Sequence, residues 1–246
     1  RGHTSNLEAL AGVFADSELT LCFTYMDIVK RATSLWQELV KHGHQKTAAN
    51  STDLVFSRCS MRKELYTHFL TGLRPQRSCI AFGSAKDSNS LIEAFDSCLA
   101  YAGVDPIGGQ RQRTASLSVN QSFGFYECEF LLQFNRAFFA APRSQAYTAK
   151  RFKAFSVFDS QTWKSRYPRI AIPYPLEWRP QIERCVNDHP LEIERIEHDY
   201  GVKLFGPVER DARQRLDAIA WDHRPETSEA DRQFFGATIA TILQQE

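Results

Sequence analysis

No run of eighteen apolar residues occurs in the 246-residue chain, so a membrane-spanning helix is not expected. The most apolar stretch, residues 130–141, is broken by Gln133, Asn135 and Arg136. The six cysteines contain no CxxC pair and no zinc-like spacing. Some of them, such as Cys22 and Cys79, fall in apolar runs of strand length, where a free thiol behaves as a small apolar residue. That usage fits a reducing compartment, and the expected location is cytoplasmic. The opening residues RGHTS carry no apolar core, so no signal peptide is visible. The GxSxG, P-loop and GxGxxG patterns are absent, as are HExxH and the EF-hand loop. No haem-attachment or flavin motif is present either, so no cofactor is assigned. There is no internal repeat and no low-complexity tract.

What remains is a globular composition, 43% hydrophobic and 24% charged, in a chain long enough to bury a core without disulfides or metals. The net charge of +1 conceals an asymmetry. Residues 1–175 carry a net +7 and residues 176–246 a net −6. A basic body with an acidic helical tail suits an anionic ligand, with solvated tail helices as the simpler alternative.

Three strand–helix units are expected at the N-terminal side, after a short helix over 5–16. Leu19 to Tyr25 is a strand, and Asp27 caps a helix with Ile28, Ala32, Leu35, Trp36 and Leu39 on one stripe. Asp53 to Arg58 is read as a second strand, with Ser60 capping the next helix. Ser78 to Phe82 is the third, followed by a Gly83-Ser84 turn and a helix from about Asp87. Nearly continuous apolar strands separated by helices point to a parallel sheet. Its strand ends, Tyr25–Asp27, Cys59–Ser60 and Gly83–Ser84, would then line one crevice. Residues 126–139 fit either strand or helix, whereas 152–158 and 169–172 are read as strands. Helices are expected at 176–187, 190–204, 208–221 and 228–244, with Pro190, Gly206-Pro207 and Pro225 as breaks. The expected fold is α/β, a single domain: a Rossmann-like sheet in residues 1–105, an aromatic-rich β segment in 106–175 and a helical part in 176–246.

The chemistry centres on the turn after the third strand. Ser84, beside a helix N-terminus, suits a nucleophile or a phosphate contact, and Gly83, Ser88 and Asn89 supply backbone and side-chain polar groups. A plain strand-to-helix connection explains the same residues. Residues 147–169 interleave Lys150, Arg151 and Lys153 with Phe152, Phe155 and Phe158, a mixture that neutralises phosphates and stacks on bases. The alternative there is a half-buried strand. Glu127 and Glu129 would share one face of a strand, making Glu129, with Tyr126, an acid–base candidate. His42 and His44 read as a solvated loop. The pairs Asp188-His189, His198-Asp199 and Asp222-His223 are sequence neighbours that point apart on a helix.

The strand–Gly83–Ser84–helix opening resembles that of the tRNA-dependent cyclodipeptide synthases, which are Rossmann-like and of similar length. The resemblance implies an aminoacyl-tRNA-dependent transferase. After the serine the chain departs from that family's motif, and it has no Tyr-x-x-x-Glu pair in matching order, so membership is not assigned.

The leading expectation is a Rossmann-like transferase or synthase acting on a small molecule or an activated, phosphate-bearing donor. Ser84, Glu129 and Tyr126 would be catalytic, and Gly83, Ser88, Asn89, Lys150, Arg151 and Lys153 would bind. One alternative is an RNA-binding or adaptor protein acting through residues 147–169. Another is a haem- or flavin-dependent enzyme whose ligand sits in the aromatic second half. No membrane partner is expected.

Overall fold

A computed structural model describes residues 9–14, 16–25, 28–82, 88–105, 123–140, 147–208, 213–223 and 225–244, without the side chains of 28, 59–67, 88, 89, 214 and 215. The chain forms two compact units. One comprises residues 1–31, 56–119 and 180–218, the other 32–55, 120–179 and 219–246.

The first unit is built on a three-stranded parallel sheet in the order β1 (Thr20–Tyr25), β2 (Arg77–Phe82), β3 (Lys203–Phe205). Helix α1 (Ile28–Lys41) follows β1 and belongs to the second unit from Ala32 on, and α2 (Thr52–Leu73), whose first residues up to Val55 belong to the second unit, leads to β2. Helix α3 (Ser88–Tyr101) follows β2. The central strand is paired on both sides and buried from Ser78 to Phe82, which accounts for its unbroken apolar run. Its side chains alternate as a pleat requires. Cys79 and Ala81 pack on Ala94 and Cys98 of α3, while Ile80 and Phe82 meet Ile193 of α7 (Arg179–His198) and Val202. Cys22 and Cys79 face each other across the β1–β2 ladder with sulfurs 3.3 Å apart. Burial raises the Cys79 thiol well above the ordinary thiol range and raises the Cys98 thiol as well, so both are held protonated.

Several expected elements differ. Residues 53–58 are not a strand but the start of the 22-residue α2. An apolar core of three residues, Leu54 to Phe56, is too short for periodicity to separate a strand from a buried helical segment. The N-terminal part therefore carries two strand–helix units among the described residues, not three. The third strand comes instead from 203–205, within the segment expected to be helical. Gly201, at φ +62°, ends the preceding helical segment in a left-handed conformation and frees Val202 onward for the sheet. Pro190 does not break α7, which runs through it. The expected helix at 208–221 is present as α8 (Arg213–Asp217). Residues 9–13 are helical, within the expected 5–16.

The second unit is helical. It contains α4 (Phe125–Phe139), α5 (Tyr147–Ser156), α6 (Gln161–Arg166) and α9 (Glu229–Gln244). The expected strand at 152–158 is the end of α5 and a 3-10 turn, and 169–172 belongs to no regular element. Phenylalanines at 152, 155 and 158 repeat every third residue, which a helical turn accommodates and a pleat does not. Edge-to-face rings form the core: Phe130 meets Trp163 at 5.5 Å and Phe235 at 5.4 Å, both near perpendicular. Among the described residues no helix is long and apolar enough to cross a membrane.

Helix α9 starts in a reciprocal capping box. Ser228 Oγ accepts from the Asp231 N–H at 3.1 Å, and Asp231 Oδ2 accepts from the Ser228 N–H at 3.0 Å. The other Asp231 oxygen accepts from the Tyr167 hydroxyl at 2.9 Å and from Arg166 at 3.1 Å, tying α6 to α9. The Ser228 hydroxyl, followed by Tyr167 and Arg166, holds the Asp231 carboxyl below its ordinary 3.8. This stabilisation is present above that ordinary value and is lost as pH falls through the lower folded one.

Two stability predictions result. Asp231→Asn should cost about 1–3 kcal/mol at neutral pH. Its urea midpoint should approach the wild-type midpoint as pH falls below the lowered folded value of Asp231 and the wild-type carboxylate is protonated. Gly206, at φ +89° after β3, passes so close to β2 that an added Cβ would stand 2.3 Å from the Phe82 carbonyl oxygen. Gly206→Ala should therefore cost at least ~2 kcal/mol and lower the melting temperature by about 4–8 °C, read by circular dichroism.

Candidate functional site at the carboxyl edge of the sheet

Parallel pairing brings the carboxyl ends of the strands to one edge, the usual place for ligands in open α/β sheets. Tyr25 ends β1 directly opposite Phe82, which ends β2, and their rings stack at 4.7 Å. The missing Cβ of Gly206 lets the chain leaving β3 pass against Phe82 at the same edge.

Helix α7 supplies the polar partner. Its buried stripe is Ile182, Val186, His189 and Ile193, so an imidazole occupies a position that spacing reserves for an apolar side chain. His189 is 7% exposed, and its Nδ1 lies 2.9 Å from the Tyr25 hydroxyl. With the ring proton on Nε2 the tyrosine donates to Nδ1; with it on Nδ1 that N–H donates to the phenol oxygen and Nε2 is left as an acceptor. Either way the hydroxyl and the imidazole share one proton position, the arrangement of an acid–base couple. Tyr25 packs in an apolar cluster, with Phe82, Ile193 and Val202 buried and Phe23, Leu70 and Tyr200 partly so. Partly shielded from water, such a hydrogen bond is electrostatically stronger than at the open surface. Pro190, next in the chain, has no N–H, which deprives the Val186 carbonyl of its ordinary helical donor one turn before the histidine.

The residues singled out from the sequence are distributed as follows. Gly83 and Ser84 lie outside the described residues, in the segment that follows Phe82. Ser88 and Asn89 form the first turn of α3, and their side chains are not among those described. Cys59 and Ser60 are inside α2, so the strand end expected there is not formed.

Tyr126 and Glu129 belong to the helical unit. In α4, Glu127 and Glu129 are two residues apart and point away from each other, so the shared carboxylate face expected of a strand is not formed. Glu127 sits in the first turn with Oε2 folded over Gly124, where an anion suits the helix dipole. The Tyr126 ring packs on Tyr167 at 4.9 Å.

The three cations of α5 have separate roles. Lys150 is 3% exposed and its Nζ donates to the Ile242 carbonyl at 3.1 Å, in the last turn of α9, where a cation complements the dipole. Arg151 Nη1 donates to the Lys41 carbonyl at 3.1 Å and stands 3.1 Å from His42 Nδ1. Lys153 lines an open cavity of about 410 Å³ with Ser156, Thr238 and Thr241.

A buried amide organises the rest of that unit. Asn135 Nδ2 donates to the Val40 and His44 carbonyls at 2.8 and 2.9 Å, while its Oδ1 accepts from the Tyr147 hydroxyl at 2.7 Å. Burial pushes Tyr147 up to about 12, keeping it a donor. His44 is not in a solvated turn, since its Nε2 meets Ser51 Oγ at 2.8 Å. Ser51 Oγ itself donates to the Thr47 carbonyl at 2.7 Å, so the histidine is the donor in that pair.

From sequence alone Tyr25 is expected at this edge without a role, and His189 is no more than the neighbour of Asp188. The signal for His189 was its place in the 182–186–189–193 stripe, because a histidine on a buried stripe needs a hydrogen-bond partner. Among the described residues no group of three or more His, Cys, Asp or Glu could hold a metal ion. No protein-family model, curated protein or solved structure matches the chain.

Proposed function

We propose that the chain is an enzyme of Rossmann-like architecture that holds a small molecule or an activated, phosphate-bearing donor at the carboxyl edge of its parallel sheet and transfers a group from it. The observation that carries this reading is the Tyr25–His189 pair, 2.9 Å between Oη and Nδ1, at the end of β1. A half-buried acid–base couple at the strand ends of a parallel sheet suits proton transfer to or from a bound substrate. Ser84 follows Phe82 by two residues in the chain, at the passage from β2 to α3.

In this proposal the Ser84 hydroxyl attacks the activated group and forms the new bond. Its proton passes to Nε2 of the neutral His189 ring, whose Nδ1–H donates to the Tyr25 hydroxyl oxygen and so fixes the ring, and the phosphate-bearing part of the donor leaves with its electron pair. The N-terminal turn of α3, with Ser88 and Asn89, faces the negative charge through its backbone N–H groups. Glu129 and Tyr126, in the other unit, have no assigned part in the step.

Thermal melting in the presence of ATP and of inorganic pyrophosphate tests the reading. At about 100 times the dissociation constant, a bound donor should raise the melting temperature by roughly 5–10 °C. Ser84→Ala and His189→Gln should each reduce that rise while leaving the ligand-free circular dichroism spectrum unchanged. An equal rise in wild type and both variants would move the ligand site away from this edge. No rise with either probe would remove phosphate-bearing donors from the reading.

A further inference from the structure

The basic, aromatic helix α5 has no part in the chemistry proposed above, yet its surface is unusual for a solvated helix. Phe152 is 59% exposed, and Phe139, at the end of α4, is 50% exposed. They are not isolated. Phe139 stacks on Tyr147 at 5.1 Å, with 29° between the planes. The Arg151 guanidinium lies 5.8 Å from the centroid of Tyr147 and 5.5 Å from that of Phe152. It also lies 5.6 Å from Phe155, which is edge-on to Phe152 at 6.2 Å. The planar groups thus run continuously from the end of α4 along one side of α5.

The row is fixed in place. Arg151 is anchored by the Lys41 carbonyl and His42, and Tyr147 by the buried Asn135 amide. Gly43, at φ +99°, brings its backbone onto the edge of Phe139 and the Tyr147 hydroxyl. An ordered row of rings loses little conformational entropy when a ligand stacks on it. Its charge is of one sign. Residues 147–156 contain no acid and, besides the buried Lys150, the cations Arg151 and Lys153, and Arg136, one helical turn before Phe139, is exposed with its Nε–H donating to the Gln45 carbonyl.

We propose that this row is a stacking platform for single-stranded nucleic acid. Unpaired bases would lie on Phe139 and Phe152, and the Arg151, Lys153 and Arg136 cations would neutralise the phosphates between them. Flat, half-exposed rings alternating with cations match the alternation of base and phosphate along a strand. A lipid surface would instead call for a continuous aliphatic face, and α5 offers no Leu, Ile or Val. A duplex hides its base faces and gives the rings nothing to stack on.

The test is fluorescence anisotropy with an end-labelled single-stranded oligonucleotide, made as RNA and as DNA, against its duplex and against vesicles rich in phosphatidylserine. Wild type should bind the single strands and neither the duplex nor the vesicles to a comparable degree. A 2′-hydroxyl contact would favour RNA, whereas stacking alone holds both strands equally, and either result fits the platform. Phe139→Ala and Phe152→Ala should each weaken binding by roughly 5- to 100-fold with the salt slope unchanged. Lys153→Ala should flatten the slope of log affinity against log salt by about 0.7. Both phenylalanines are half-exposed, and a melting curve for each variant checks that its fold is retained. Binding that survives both phenylalanine substitutions would overturn the proposal. So would equal affinity for the duplex or the vesicles, or sedimentation as a dimer that Phe152→Ala dissolves.

Discussion

The sheet unit depends on one constraint, that β2 must be satisfied on both edges and both faces. Its backbone groups pair with β1 on one side and β3 on the other. Its side chains alternate between a thiol- and alanine-lined face under α3 and an aliphatic and aromatic face toward α7. A buried strand with either edge open would leave peptide groups without partners, at a cost of about 1–3 kcal/mol for each. The late three-residue strand β3 meets that requirement, and Gly206 lets the chain leave it without colliding with the Phe82 carbonyl. The same pairing puts Tyr25 level with Phe82, and α7, which covers one face, brings His189 to Tyr25. The candidate acid–base pair is thus a by-product of how the central strand is enclosed.

The helical unit solves a different problem, the burial of polar groups among many rings. Asn135 uses both amide donors and its oxygen to fix the last turn of α1, the loop after it and the start of α5. Lys150 places its ammonium on a carbonyl in the last turn of α9, and Asp231 closes the first turn of the same helix while holding Tyr167 and Arg166. Each of these groups would be costly if left alone and is stabilising where it stands, because it answers a helix terminus or a loop carbonyl.

How far the sequence was legible follows from the same physics. β1, β2, α1 and α3 could be read because a fully buried strand and an amphipathic helix leave distinct periods. Residues 53–58 could not, since three apolar residues satisfy either period and only the surrounding packing selects the helix. β3 was hidden because three residues leave no period at all; Gly201 ahead of it was the usable sign. In residues 147–158 the cations and rings were correctly seen to alternate, but the strand geometry was wrong because spacing by three belongs to a helical turn. At the site, Tyr25 was legible as a strand end, whereas His189 required knowing which face of α7 is buried. The partnership between them spans 164 residues, and no local pattern reports it.

The most direct test of the edge as the reactive site is the long-range proton–nitrogen NMR spectrum of the histidine side chains, recorded with and without ATP or pyrophosphate. The account predicts that the His189 ring signals respond to Tyr25→Phe in the free protein and move when the ligand binds. The other histidines should stay in place. His189 signals that remain fixed while the ligand demonstrably binds would contradict it.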